Sequence, residues 1–109
     1  MRFFGLKNCD TCRKALRALT DAGFEPTVID VRKDGVSPDD LAMLLGEFGN
    51  ALINRRSTTW RGLSEDQRLL EPEVLLAQFP TLMKRPVVET DDGVLLLGWT
   101  AATQNAIIS

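Results

Sequence analysis

The chain has 109 residues, 44% of them hydrophobic and 26% charged, and a formal net charge of −2. That length makes one ordinary domain able to bury a core without disulfide staples, and the composition excludes low-hydrophobicity disorder. The charge gives no basic field for nucleic acid, and the absence of histidine removes imidazole bases and His-ligated metals.

Arg2 to Leu6 reads as a short buried strand. Lys7-Asn8-Cys9-Asp10-Thr11-Cys12 follows, and then a helical stripe of Cys12, Leu16, Leu19 and Ala22, with Arg13, Lys14 and Arg17 on the other face. Gly23 stands where a helix ends, and Thr27 to Val31 reads as a β-branched strand. Strand, helix and strand make a βαβ unit with two parallel strands. Ser37-Pro38-Asp39-Asp40 opens a helix, with an N-cap, Pro at the first position and acids in the first turn. Leu41, Leu44, Leu45 and Phe48 form its stripe, and Gly49 ends it.

Asn50 to Leu63 reads as a loop carrying Arg55, Arg56 and Arg61, anchored by a buried Trp60. Ser64 opens one short helix, and Glu71-Pro72 opens another that Pro80 stops. The period then changes. Val87 to Thr90, the turn Asp91-Asp92-Gly93, and Val94 to Leu97 read as a β-hairpin. Thr100 caps a last helix from Ala101 to Ile108. The order β-α-β, helical insert, β-β-α predicts one α/β domain of thioredoxin-like fold. Its sheet is mixed and four-stranded, and its helical insertion covers about residues 37–79.

The Met1 to Asn8 stretch is too short and polar for a signal peptide, and no apolar run approaches the ~20 residues that span a bilayer. A cytoplasmic monomer with no membrane and no direct nucleic-acid partner is expected. There, two cysteines are redox, catalytic or metal-binding more often than structural. Cys9 and Cys12 sit two residues apart at a strand-to-helix junction inside a βαβ unit, the setting of a redox motif. Unpaired N–H groups and the positive dipole end of a helix lower a thiol's pKa. Cys9 is therefore the attacking thiolate. Cys12, one turn in, is either the resolving thiol or a small buried hydrophobe on the core stripe. Two cysteines without histidine cannot close a structural zinc site, so no metal is expected. Pro86 either starts the Val87 strand or forms a cis bond beside Cys9. Arg85 would then stabilise the thiolate and an anionic substrate; otherwise it and Arg56 are solvated surface charges.

Lys7-Asn8-Cys9-Asp10-Thr11-Cys12-Arg13-Lys14-Ala15 resembles the opening of the ArsC-like family of arsenate reductases, YffB-type proteins and Spx-type transcription regulators. The likeness continues at Asp30 to Gly35, Arg56 to Leu63, Met83 to Pro86 and Leu97 to Trp99, and is nearest to the YffB branch. It implies a thioredoxin-like domain with a helical insertion and an active cysteine at Cys9. It also implies a cis-proline at Pro86, with Arg85 and Arg56 as anion-binding arginines. The resulting candidate site has Cys9, Cys12 and Arg85 as catalytic residues, with Lys7, Thr11, Arg56 and Pro86 binding substrate.

The implied activity is glutathione-linked thiol–disulfide reduction, with glutathione as co-substrate or a glutaredoxin-type protein as reductant and no bound cofactor. Two departures bear on it. A third arginine of the arsenate reductases is replaced by Gly98, and their motif usually lacks the second cysteine, here Cys12. Spx-type regulators do carry such a cysteine pair. That alternative makes Cys9 and Cys12 a switch and the RNA polymerase α subunit the partner, with Gly49 matching a glycine of the contact surface. Arsenate reduction is the second alternative.

Overall fold

The computed structural model describes residues 1–108 and divides into two compact units, Met1–Asp34 with the segment from Arg85 onward, and Gly35–Lys84. The first unit holds strands β1 (Arg2–Gly5), β2 (Thr27–Asp30), β3 (Val87–Glu89) and β4 (Leu95–Leu97) in the order β2-β1-β3-β4. β1 pairs parallel with β2 and antiparallel with β3, and β3 pairs antiparallel with β4. This is the mixed four-stranded sheet of a thioredoxin-like fold. Each strand is one residue shorter than its expected run.

Side chains alternate across a strand, so Phe3 and Phe4 point to opposite faces. Both are fully buried, which means that the sheet is covered on both sides. On the Phe3 face lies helix α1 (Asp10–Asp21), whose Cys12, Ala15 and Leu19 form one buried cluster with Phe3 and Val88. The end of α1 is a Schellman motif: the Phe24 N–H reaches the Leu19 carbonyl at 3.0 Å and the Gly23 N–H reaches that of Thr20 at 3.0 Å. Gly23 takes φ +94°, a conformation open to glycine at little cost. Phe24 packs back on the same cluster, completing the motif.

The second unit opens with helix α2 (Pro38–Phe48), where the Ser37 hydroxyl accepts the Asp40 N–H at 3.1 Å. The expected loop over residues 50–63 is instead partly helical. A 3-10 turn covers Gly49–Leu52, and helix α3 covers Thr58–Arg61. α3 is only four residues long, too short for a hydrophobic period to betray it. Ser57 caps its start through the Trp60 N–H at 3.1 Å. Its far end is held by Arg68, whose guanidinium donates to the carbonyls of Trp60 and Arg61 at 3.2 Å each. Trp60 is half-buried rather than buried, with the guanidinium groups of Arg55 and Arg68 within 5.3 and 5.6 Å of its ring centre.

Helix α4 (Glu65–Arg68) starts on a full capping box of Ser64 and Gln67. Helix α5 (Pro72–Gln78) has Pro at its first turn and ends before Pro80, where a 3-10 turn covers Pro80–Leu82. Leu41, Leu44, Leu52, Ile53, Leu63, Leu75, Leu76, Leu82 and Met83 are the buried apolar residues of this unit. A short antiparallel bridge pairs Ile53 with Met83. Back in the first unit, helix α6 (Ala101–Ile108) begins on the Thr100 hydroxyl, which accepts the Thr103 N–H at 3.1 Å.

Candidate active site

Cys9 is the N-cap residue of α1. Its backbone is extended, and its carbonyl accepts the Arg13 N–H at 3.0 Å, the first intrahelical bond. An N-cap side chain usually accepts a backbone N–H from the second or third helical residue, and serine, threonine, aspartate or asparagine is the normal occupant. Here a half-buried thiol stands in that place, and Cys12 is the third helical residue. The neutral thiol makes no formed cap bond, but the Cys12 N–H lies where it favours the charged sulfur.

The turn that delivers Cys9 is set by two strands. The Cys9 N–H returns to the Leu6 carbonyl at 3.3 Å, closing the Leu6–Cys9 turn at the end of β1. Pro86, buried at the start of β3, follows a cis peptide bond from Arg85. Its carbonyl accepts the Gly98 N–H at 2.7 Å, tying the entry of β3 to the end of β4. Arg85 lies beside Cys9, where its guanidinium favours the thiolate through hydrogen bonding and charge.

These groups divide the two thiols. Burial raises the Cys9 pKa. The Cys12 N–H, the Cys12 thiol and Arg85 outweigh it, so the pKa settles below the ordinary thiol value. Cys12 is fully buried, and burial is the main cause that pushes its thiol up to about 11, with the adjacent Cys9 adding to the rise. At neutral pH Cys9 is the group prepared to be a thiolate, and Cys12 is a thiol that donates to it.

The remaining candidates are distributed between the units. Lys7, in the turn, and Thr11, in the first turn of α1, are exposed in the first unit. Arg56 belongs to the second unit and is exposed. Its N–H is held by the Asn54 side chain at 3.0 Å, and with Arg55, Lys84, Asn50 and Asn54 it lines an open recess of about 650 Å³. Gly98, at the position of the missing third arginine, has φ +80°.

Two residues beside the Cys9 turn are unassigned in the sequence reading. A Cβ at Gly5 would lie 2.9 Å from the Cys12 sulfur and 2.7 Å from the Phe3 ring, so only glycine lets the helix start sit this close to β1. Asp30, paired in register with Gly5, is the other. The Asp30–Gly35 stretch was visible as a likeness, but nothing local linked it to Cys9. Among the described residues no group of three or more Cys, Asp or Glu side chains could hold a metal ion, and no helix is long and apolar enough to cross a membrane.

An uncharacterized protein of Haemophilus influenzae is 42% identical over 101 residues, covering 88% of each chain. An arsenate reductase of Synechocystis is 35% identical over 98 residues, 82% of this chain and 68% of that one. The solved structure of a YffB protein superposes with a TM-score of 0.86 at 27% identity, covering 98% of this chain and 97% of the other. The model of the ArsC family matches residues 4–107, nearly the whole chain, and the protein belongs to that family.

Proposed function

We propose that the protein is a glutathione-linked thiol–disulfide oxidoreductase. The observation that carries this reading is the contrast at the head of α1. There Cys9 is an N-cap thiol lowered by the Cys12 N–H and Arg85, beside a Cys12 thiol held near 11. Kinship with the ArsC family supports a thiol-dependent reductase in general terms.

In the first step the Cys9 thiolate attacks one sulfur of a disulfide substrate. A Cys9–substrate disulfide forms, the substrate S–S bond breaks, and the other half leaves as a thiolate. Arg85 compensates negative charge at the reacting sulfur and suits the carboxylates of glutathione. The second step releases Cys9 in one of two ways. A glutathione thiolate attacks the substrate sulfur of the mixed disulfide, giving a glutathione–substrate disulfide and the Cys9 thiolate, or Cys12 loses its proton and attacks Cys9, expelling the bound half as a thiolate and leaving a Cys9–Cys12 disulfide that external thiol reduces. The high Cys12 pKa favours the first route, because its thiolate is scarce at neutral pH. Glutathione-coupled reduction of a small disulfide tests the reading. Turnover is expected in the parent and in Cys12→Ser and absent in Cys9→Ser. Retained turnover in Cys9→Ser overturns it.

Arsenate is the second reading, supported by relatives named arsenate reductase at 30 to 35% identity. Gly98 argues against it. An arginine there would need a backbone at φ +80° that L side chains rarely adopt. Arsenate-dependent oxidation of glutathione, with glutaredoxin supplied, tests it, and no turnover rejects it.

A further inference from the structure

Parallel strands β1 and β2 end side by side, with Gly5 opposite Asp30. The Val31 N–H still reaches the Gly5 carbonyl at 3.0 Å, so the two chains stay joined one residue past the ladder. From there β1 enters the turn that carries Cys9, and β2 enters the Val31–Asp34 turn.

Asp30 organises this junction. Its Oδ1 accepts the N–H groups of Arg32 at 2.9 Å and Lys33 at 2.8 Å. Its own N–H is held by the Asp34 carboxylate at 2.9 Å, and its carbonyl accepts the Asp34 N–H at 2.8 Å. The residue is only 9% exposed, unusual for an aspartate unless its charge is satisfied. The turn that this carboxylate closes borders the Leu6–Cys9 turn, with Gly5 opposite Asp30, and so can fix where that turn begins.

We propose that Asp30 is a positioning residue for Cys9, its carboxylate fixing the end of β2, to which the end of β1 is hydrogen-bonded, so that the Leu6–Cys9 turn delivers the thiol to the head of α1. The backbone N–H of Lys7, two residues before Cys9, also favours the charged form of the Asp30 carboxylate, as do the Lys33 and Arg32 N–H groups. The carboxylate thus closes the β2 turn, and the Val31 N–H to Gly5 carbonyl bond passes that constraint to the end of β1. Losing it frees the Cys9 turn, and the sulfur drifts from the Cys12 N–H and Arg85. The inference rests on Cys9 being the reactive thiolate, and it needs no particular substrate.

The test is the pH dependence of iodoacetamide alkylation at Cys9, followed by mass spectrometry and by thiolate absorbance, in Asp30→Ala and Asp30→Asn. Positioning predicts a raised Cys9 pKa in Asp30→Ala. Alkylation below that pKa then slows about threefold per unit of rise, since a tenfold loss of thiolate is half offset by the greater nucleophilicity of a more basic sulfur. Asp30→Asn, which keeps an acceptor oxygen, recovers most of the parental profile.

A fall of the Cys9 pKa in both variants means that Asp30 acts on the thiolate only as a repelling charge, and overturns the proposal. An unchanged pKa with a lowered Tm means a purely structural turn, and overturns it as well. Should Asp30→Ala not fold, Asp30→Ser carries the same expectation, because a hydroxyl closes such a turn more weakly than a carboxylate. Alkylation needs neither glutathione nor a disulfide substrate. Parental thiolate chemistry without turnover would thus count against the oxidoreductase reading and leave Asp30 standing.

Discussion

A Cβ placed on Gly5 falls 2.9 Å from the sulfur of Cys12. The last residue of β1 and the first inward-facing residue of α1 therefore meet backbone to side chain, with no room for a methyl group. Gly5→Ala is expected to destabilise the fold by about 1–3 kcal/mol, the usual cost of overpacking a filled core. Denaturant unfolding checks this. The double change Gly5→Ala with Cys12→Ala removes the opposing sulfur. It should recover part of the loss but not all, because the Phe3 ring at 2.7 Å still stands in the way.

Arg85 supports the Cys9 thiolate by both a hydrogen bond and its charge. Arg85→Met removes both, and Arg85→Lys keeps the charge but loses the planar fork. The Cys9 pKa is expected to rise in both, more in the methionine variant. Alkylation at a pH below the pKa should slow by about threefold per unit of rise. An alkylation profile identical to the parent's in Arg85→Met would mean that the Cys12 N–H and thiol set the thiolate without Arg85.

The elements around Cys9 were legible because local signals and tertiary structure agree there. Of the Cys12, Leu16, Leu19 and Ala22 stripe, Cys12 and Leu19 lie on the buried face with Ala15 beside them, whereas Leu16 is half-buried and Ala22, at the helix end, is exposed. Asp92-Gly93 has glycine where φ is +85°, as the hairpin required. α3 was not legible, since a four-residue helix is stabilised by Ser57 before it and Arg68 after it, not by periodicity. The thiol contrast was half legible. A cysteine at a helix start announces itself, but the burial that separates Cys12 from Cys9 is a property of the packed sheet. Gly5 and Asp30 were missed for one reason. Their partners lie across the parallel β1–β2 register or across the helix–sheet contact, and sequence spacing does not report either.

The Cys12 thiol gives the stability an alkaline limb. Its pKa is about 11 in the folded protein against 9.0 for an ordinary thiol. Between those values the unfolded chain has released a proton that the folded one keeps, so stability falls as pH rises. The full loss is on the order of 3 kcal/mol, from about 1.4 kcal/mol per unit of that difference. Cys12→Ala should flatten this limb while lowering stability at neutral pH through its lost packing. Unfolding midpoints between pH 8 and 11, roughly the interval over which a thiol near 9 and one near 11 titrate, would show it. An alkaline limb equally steep in Cys12→Ala would assign the effect to other groups.

Asp30 gives the opposite limb. Its carboxyl is held below the ordinary carboxylate value, with the Lys33 N–H as the largest cause. Burial opposes this, and the Arg32 and Lys7 N–H groups and the Arg32 charge add to it. A depressed carboxylate contributes stability that is complete above its unfolded pKa and is lost as pH falls through its folded one. Asp30→Asn abolishes that titration but keeps a hydrogen-bond acceptor. The variant should be less stable than the parent at neutral pH, because its bonds to the N–H groups are no longer charge-assisted. It should also lose less stability on acidification, so that the two unfolding curves converge at low pH. A constant gap between them down to the acid transition would mean that the Asp30 charge is not what holds the junction of β1 and β2.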